Sequence, residues 1–178
     1  ETNYGARFPS AWVWVQGVSA DGRHQLLVAG GSSKVAGITA RPFVIGFRSP
    51  DRHWDFRGVD LDRISAKVNG CSGQLSITAE SKAGDRRFVL EMVAPLASFS
   101  QPLYFPTKDG WSNTPGCEES YIAVANVKLF EGGNNLPVEQ FELRNAALEF
   151  GGSYRCVTGV TNPESFTLNS LEAPEIIV

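Results

Sequence analysis

The chain is poor in the residues that usually announce a chemistry. Its 178 residues include only two histidines, His24 and His53, and three widely spaced cysteines, Cys71, Cys117 and Cys156, with no Cys-x-x-Cys pair. A structural zinc site needs four such ligands at short spacings, so no metal site is expected. Lys and Arg never form a run and the formal net charge is −3, which removes the electrostatic grip that nucleic acid requires. The apolar runs span a few residues each, against the ~20 of a membrane-crossing helix. Gly30-Gly31-Ser32-Ser33-Lys34 has neither the spacing of a phosphate loop nor a helical pattern after it. Gly70-Cys71-Ser72-Gly73 is no nucleophile elbow, and Asp60-Leu61-Asp62 lacks the further acids and glycine of a calcium loop. Hydride transfer, phosphoryl transfer and metal hydrolysis all lack their equipment, and no cofactor is expected. The cysteines decide less. Two could pair and leave one free, or all three could be buried thiols, so the compartment stays open.

What is present is strand after strand. Ala11–Gln16 is aromatic and β-branched, Gln25–Ala29 follows the Asp21-Gly22 turn, and Pro42–Phe47 precedes His53–Arg57. Ile64–Val68 runs into Asn69-Gly70, a strong hairpin signal. Gln74–Glu80 alternates Leu75, Ile77 and Ala79 with polar neighbours, and Ala83-Gly84-Asp85 turns it into Arg87–Val93. Strand character returns at Tyr121–Phe130 and, after a Gly/Asn turn, at Gln140–Phe150. Between them, Ala94 to Glu119 is irregular, holding Pro95, Pro102, Pro106 and Pro115 among the ten prolines, with room for one short helix near Pro95 to Ser100. Short strands joined by Gly, Pro and Asn turns predict an all-β sandwich or barrel.

Two strands carry unusual faces. A period of two places Trp12, Trp14 and Gln16 on one side of the first strand, Val13 and Val15 on the other. With both sides apolar, the strand either lies between two layers or lines a filled interior, and Gln16 on the tryptophan side needs a polar partner. Trp54 and Phe56 likewise share a face, opposite a solvent stripe of His53, Asp55 and Arg57. In the long loop, Phe99, Tyr104, Phe105, Lys108 and Trp111 must be covered by something, or themselves cover the mouth of a barrel.

The phrase Phe8-Pro9-Ser10-Ala11-Trp12-Val13-Trp14-Val15-Gln16 resembles the opening of the second half of tocopherol cyclases, Phe-Pro-Ser-x-Trp-x-Trp-x-Gln. Gly30-Gly31, Trp54-Asp55-Phe56, Cys117 followed by Tyr121, and Ala147-Leu148-Glu149-Phe150-Gly151-Gly152 then follow in the same order. The resemblance spans about Asn3 to Gly152. It implies an antiparallel, lipocalin-like (calycin-type) β-barrel and relatives that include fungal Diels–Alder and hetero-Diels–Alder cyclases. It also implies that the chain, read as one barrel domain over 1–178, corresponds to the second of two halves, with a companion N-terminal half or partner chain.

Cyclisation of this kind needs no metal or nucleotide. It needs a dry, shaped apolar cavity, expected inside the barrel, that holds a hydrophobic natural-product intermediate, and one or two groups that stabilise developing charge. The expected hydrogen-bonding or acidic groups are Gln16, Tyr121 and Glu118; the expected substrate-contacting groups are Trp12, Trp14, Trp54, Phe105, Lys108 and Trp111. A tocopherol-type ring closure instead requires a carboxylic acid to protonate an alkene, a task for Glu118 or Glu149 if desolvation raises its pKa. Two other classes compete: a lipocalin-like carrier of an apolar molecule, and a jelly-roll sugar-binding module with exposed tryptophans.

Overall fold

Among the described residues thirteen strands form, most of them where branched or aromatic residues alternate with polar ones. The computed structural model describes residues 9–35, 38–107, 110–156 and 164–168. The strands are β1 (Ala11–Val18), β2 (Gln25–Val35), β3 (Ile38–Ala40), β4 (Phe43–Arg48), β5 (His53–Arg57), β6 (Arg63–Asn69), β7 (Gln74–Glu80) and β8 (Arg86–Val93). They continue as β9 (Pro106–Thr107), β10 (Gly110–Trp111), β11 (Cys117–Glu131), β12 (Glu139–Gly152) and β13 (Glu164–Leu168). All pairings in the main sheet are antiparallel, in the order β13-β6-β7-β8-β11-β12-β1-β2-β4-β5, with β3 on β2. Nine of these strands curl into a nearly closed barrel. β9 and β10 make a separate small hairpin.

The barrel interior, expected to hold a ligand cavity, is instead filled by the inward half of each strand, whose large apolar side chains pack into one core. Val13 and Val15, Leu26 and Val28, Phe43, Ile45 and Phe47, Phe56, Leu75 and Ile77, Phe88 and Leu90, Leu129, Leu143 and Phe150 are all essentially inaccessible. Truncating one of those phenylalanines to alanine costs about 3–5 kcal/mol in cores of this kind. Trp54 belongs to this interior with Phe56, and His53, Asp55 and Arg57 face solvent, the division that the period of two predicts.

Two hairpins share one turn construction. Gly22 and Gly84 each sit at φ +71° and donate to the carbonyl three residues back, on Ser19 and Ser81. Those serine hydroxyls donate to Asp21 and Asp85. The β6–β7 connection differs from the tight Asn69-Gly70 hairpin that the sequence predicts. Asn69 caps a 3-10 turn over Gly70–Ser72, accepting from the Ser72 N–H at 3.2 Å, and Gly73 closes it at φ +64°. Gly70 is glycine for a different reason: a Cβ there would lie 2.2 Å from the Tyr154 carbonyl. The short helix expected near Pro95 to Ser100 is a single 3-10 turn, Leu96–Ser98.

Cys71 and Cys156, 85 residues apart, form a disulfide, and Cys117 remains a buried free thiol. At the opposite end of the barrel, Glu139 accepts hydrogen bonds from Ser49 and Arg52 and meets His24 at 3.0 Å, tying three connections together.

Candidate functional site

β11 starts four residues before the expected Tyr121, and those residues carry the chemistry. Cys117 is registered with Gly151 of β12, and Gly151 with Trp12 of β1; Glu119 is registered with Glu149, and Glu149 with Trp14. Directly paired residues project from the same side of a sheet. Cys117, Glu119, Glu149, Trp12 and Trp14 therefore stand together on the outer face of the barrel, opposite the packed interior.

Close approach organises them. The Trp12 ring lies over Gly151, where a Cβ would come within 1.9 Å of it, so only glycine fits. Its indole N–H thereby reaches Glu149 Oε1 at 2.5 Å. The Tyr121 hydroxyl donates to Glu119 Oε2 at 2.5 Å. The long loop covers the Trp12 end. Phe105 packs edge-on against Trp12 at 5.2 Å, and Leu103 exchanges backbone hydrogen bonds with Gly116 and Cys117. Ser100 donates its N–H to the Glu119 carbonyl and accepts the Glu119 N–H on its hydroxyl. Phe99 turns the other way and stacks on Phe150 at the barrel mouth. Trp12 is consequently 7% exposed although it points away from the core. The first strand does lie between two layers at this end, one of them a loop.

The electrostatics follow from that cover. Burial pushes the Glu149 carboxyl above the usual carboxylate range; the Trp12 N–H opposes the shift and the charge of Glu119 adds to it. Burial, followed by the Glu149 charge, drives the Cys117 thiol up to about 12. The Tyr121 hydroxyl is raised by its bond to Glu119. Cys117, Glu119 and Glu149 each bring one sulfur or carboxylate oxygen within 4.8 Å of the others.

Of the other expected residues, Trp14 is half-buried on the same wall and Gln16 is exposed beyond it. Glu118 points to the other side of β11 and pairs with Arg155 at 3.2 Å. Trp54 is in the interior, edge-on to Phe56. Trp111, paired with Pro106 in the β9–β10 hairpin, is 70% exposed, and Lys108 lies outside the described residues. Sequence reasoning places Cys117 and Glu119 in the long loop, among residues that could carry function, and gives neither a role. The alternation Cys117, Glu119, Tyr121 was the available signal, once the strand is started early enough. A concavity of about 570 Å³ lies away from this wall, lined by Asp55, Asp60, Asp62, Lys82, Asp85 and Arg86, and is open to solvent. It suits a hydrophobic ligand less well.

A family model described as tocopherol cyclase-like matches residues 1–152. No curated protein and no solved structure gives a significant match.

Proposed function

The chain belongs to the tocopherol cyclase-like family, and from that premise we propose a cofactor-independent ring-forming cyclase whose acid is Glu149. Family membership points to cyclase-type chemistry. The observation that carries the finer reading is the Glu149 carboxyl, desolvated, facing Glu119 and bordered by Trp12 and Trp14.

A carboxyl that holds its proton more tightly than an ordinary carboxylate can deliver it to an alkene or to a carbonyl. Proton delivery to an alkene creates a carbocation, and an aromatic face stabilises a cation by about 0.5–2 kcal/mol, more as water is removed. Trp14, next to Glu149 and half-buried, supplies that face. A hydroxyl on the same substrate then closes the ring. Glu149 takes the acid's role rather than Glu118, whose carboxylate is engaged by Arg155. Gln16 and Tyr121, at the open margin of the wall, would bind the polar head of the substrate. With the barrel interior filled, the hydrophobic substrate lies on the outer face in this scheme. A companion half-domain or partner chain over Tyr104, Trp111 and Tyr121, all largely exposed, would complete the exclusion of water.

The test uses a prenylated hydroquinone in deuterium oxide. The native protein should give a cyclised product with one non-exchangeable deuterium at the former alkene carbon, and Glu149→Gln should give none. A ring formed without deuterium would mean pericyclic closure and remove Glu149 as the acid. Binding without any product would favour the carrier.

A further inference from the structure

We propose that Glu119 and Tyr121 are the proton-return arm of this site: Glu119 accepts the proton released by the closing hydroxyl of the substrate and passes it to Glu149. The proposal rests on Glu149 as the acid and adds a second catalytic residue to it.

Three features place Glu119 in this role. It is registered directly opposite Glu149, with carboxylate oxygens within 4.8 Å, a gap that one bridging water spans for proton transfer. Its backbone is held on both edges, by β12 and by Ser100, which fixes where its carboxylate can reach. Tyr121 donates to its Oε2, which holds the carboxylate in place while it accepts and passes on the proton. The register break between Ser120 and Ala123 lets Tyr121 stand out from the ladder there.

The cycle balances. Glu149 loses its proton as the C–H bond forms; the hydroxyl oxygen forms the C–O bond and loses its proton to Glu119; Glu119 then reprotonates Glu149. The reaction is an isomerisation and needs no oxidant, reductant or co-reactant. Among the described residues, the titratable groups on this face beside Glu149 are Glu119, Cys117 and Tyr121, all from β11. β1 contributes the uncharged Trp12 and Trp14, and Arg155 is engaged by Glu118 and the Pro115 carbonyl.

Infrared difference titration of the whole chain reads the pair without substrate, through the C=O band of a protonated carboxyl. Glu149→Gln should abolish the band that persists above the ordinary carboxylate range. Glu119→Gln should move it to lower pH by about one unit or more, because the facing charge is gone. With the prenylated hydroquinone, Glu119→Gln should lower kcat by roughly 10²-fold with little change in KM. Glu119→Asp should restore part of the loss, and Tyr121→Phe should cost less than Glu119→Gln. A band that survives in Glu149→Gln defeats the acid assignment itself. A band lost in Glu149→Gln but titrating unchanged in Glu119→Gln, with kcat preserved, defeats the return arm alone. Circular dichroism of each variant separates either result from misfolding, and Glu119→Asp carries the test if the amide variant does not fold.

Discussion

Glu149 and Glu119 face each other across the β11–β12 ladder, one held by the Trp12 indole N–H and the other by the Tyr121 hydroxyl. Like charges placed directly opposite on a sheet are destabilising. Here that cost coincides with the wall of tryptophans, where a retained proton is chemically useful.

The pH dependence of stability should show it. The folded-state pKa of Glu149 is raised, so its protonated form stabilises the fold fully below the ordinary value of 4.5. That contribution is lost as pH rises from there to the raised value, and the penalty is constant above it. Glu149→Gln removes the penalty while its amide oxygen can still accept from Trp12. Melting curves between pH 4.5 and 9 should find the variant at least as stable as the native chain above neutrality, with the advantage fading toward pH 4.5. A variant that melts lower at pH 8 would contradict the assignment.

Cys117 should behave as an inert thiol. With its pKa driven up to about 12 by burial and by Glu149, almost no thiolate exists at pH 8, and alkylation needs the thiolate. Iodoacetamide should leave the native chain unlabelled, label one site after denaturation, and label three after denaturation with reductant. Rapid native labelling of Cys117 would show that the loop does not cover it.

The glycine under Trp12 gives a sharper test of packing. Gly151→Ala places a methyl group inside the indole contact and should cost about 1–3 kcal/mol or more. Gly46→Ala is the control, since the nearest atom to its added Cβ is 4.0 Å away; it should be neutral or stabilise by roughly 0.5–1 kcal/mol. Chemical denaturation of both variants measures the difference. Equal effects would mean that Trp12 is not seated on Gly151.

Removing the disulfide by Cys156→Ser should cost about 2–4 kcal/mol, a fall in Tm on the order of 10 °C. Scanning calorimetry of the variant, and of the native chain with reductant, should agree. A native Tm indifferent to reductant would count against the bridge.

The strands were legible because the barrel demands alternation, and Val13, Val15, Leu75, Ile77 and Ala79 supply it. The start of β11 was not, because Glu118 and Glu119 put charges on both faces and break the apolar period. One is balanced by Arg155 and the other by Tyr121, partners that only the fold reveals. The same limit applied to the tryptophans. A period of two shows that Trp12 and Trp14 share a side, and it does not say which side faces in. Val13 and Val15 took the interior, and a loop from 80 residues further on covered Trp12. The cysteine pairing was equally hidden, since spacing along the chain says nothing of which turns meet in space.

The disulfide has a mechanical consequence. Cys71 lies in the β6–β7 turn and Cys156 just beyond β12, and along the sheet they are separated by the steps β6 to β7, β7 to β8, β8 to β11 and β11 to β12. The bond is therefore a chord across the curved wall, drawn at the end where Trp12, Cys117 and Phe99 gather. Among the described residues no ladder joins β5 to β13, the two edges of the sheet, so backbone bonds alone leave the cylinder free to widen at that seam. The chord fixes the curvature of the arc that contains β11 and β12, so the two carboxyls sit on the stapled arc rather than at the seam.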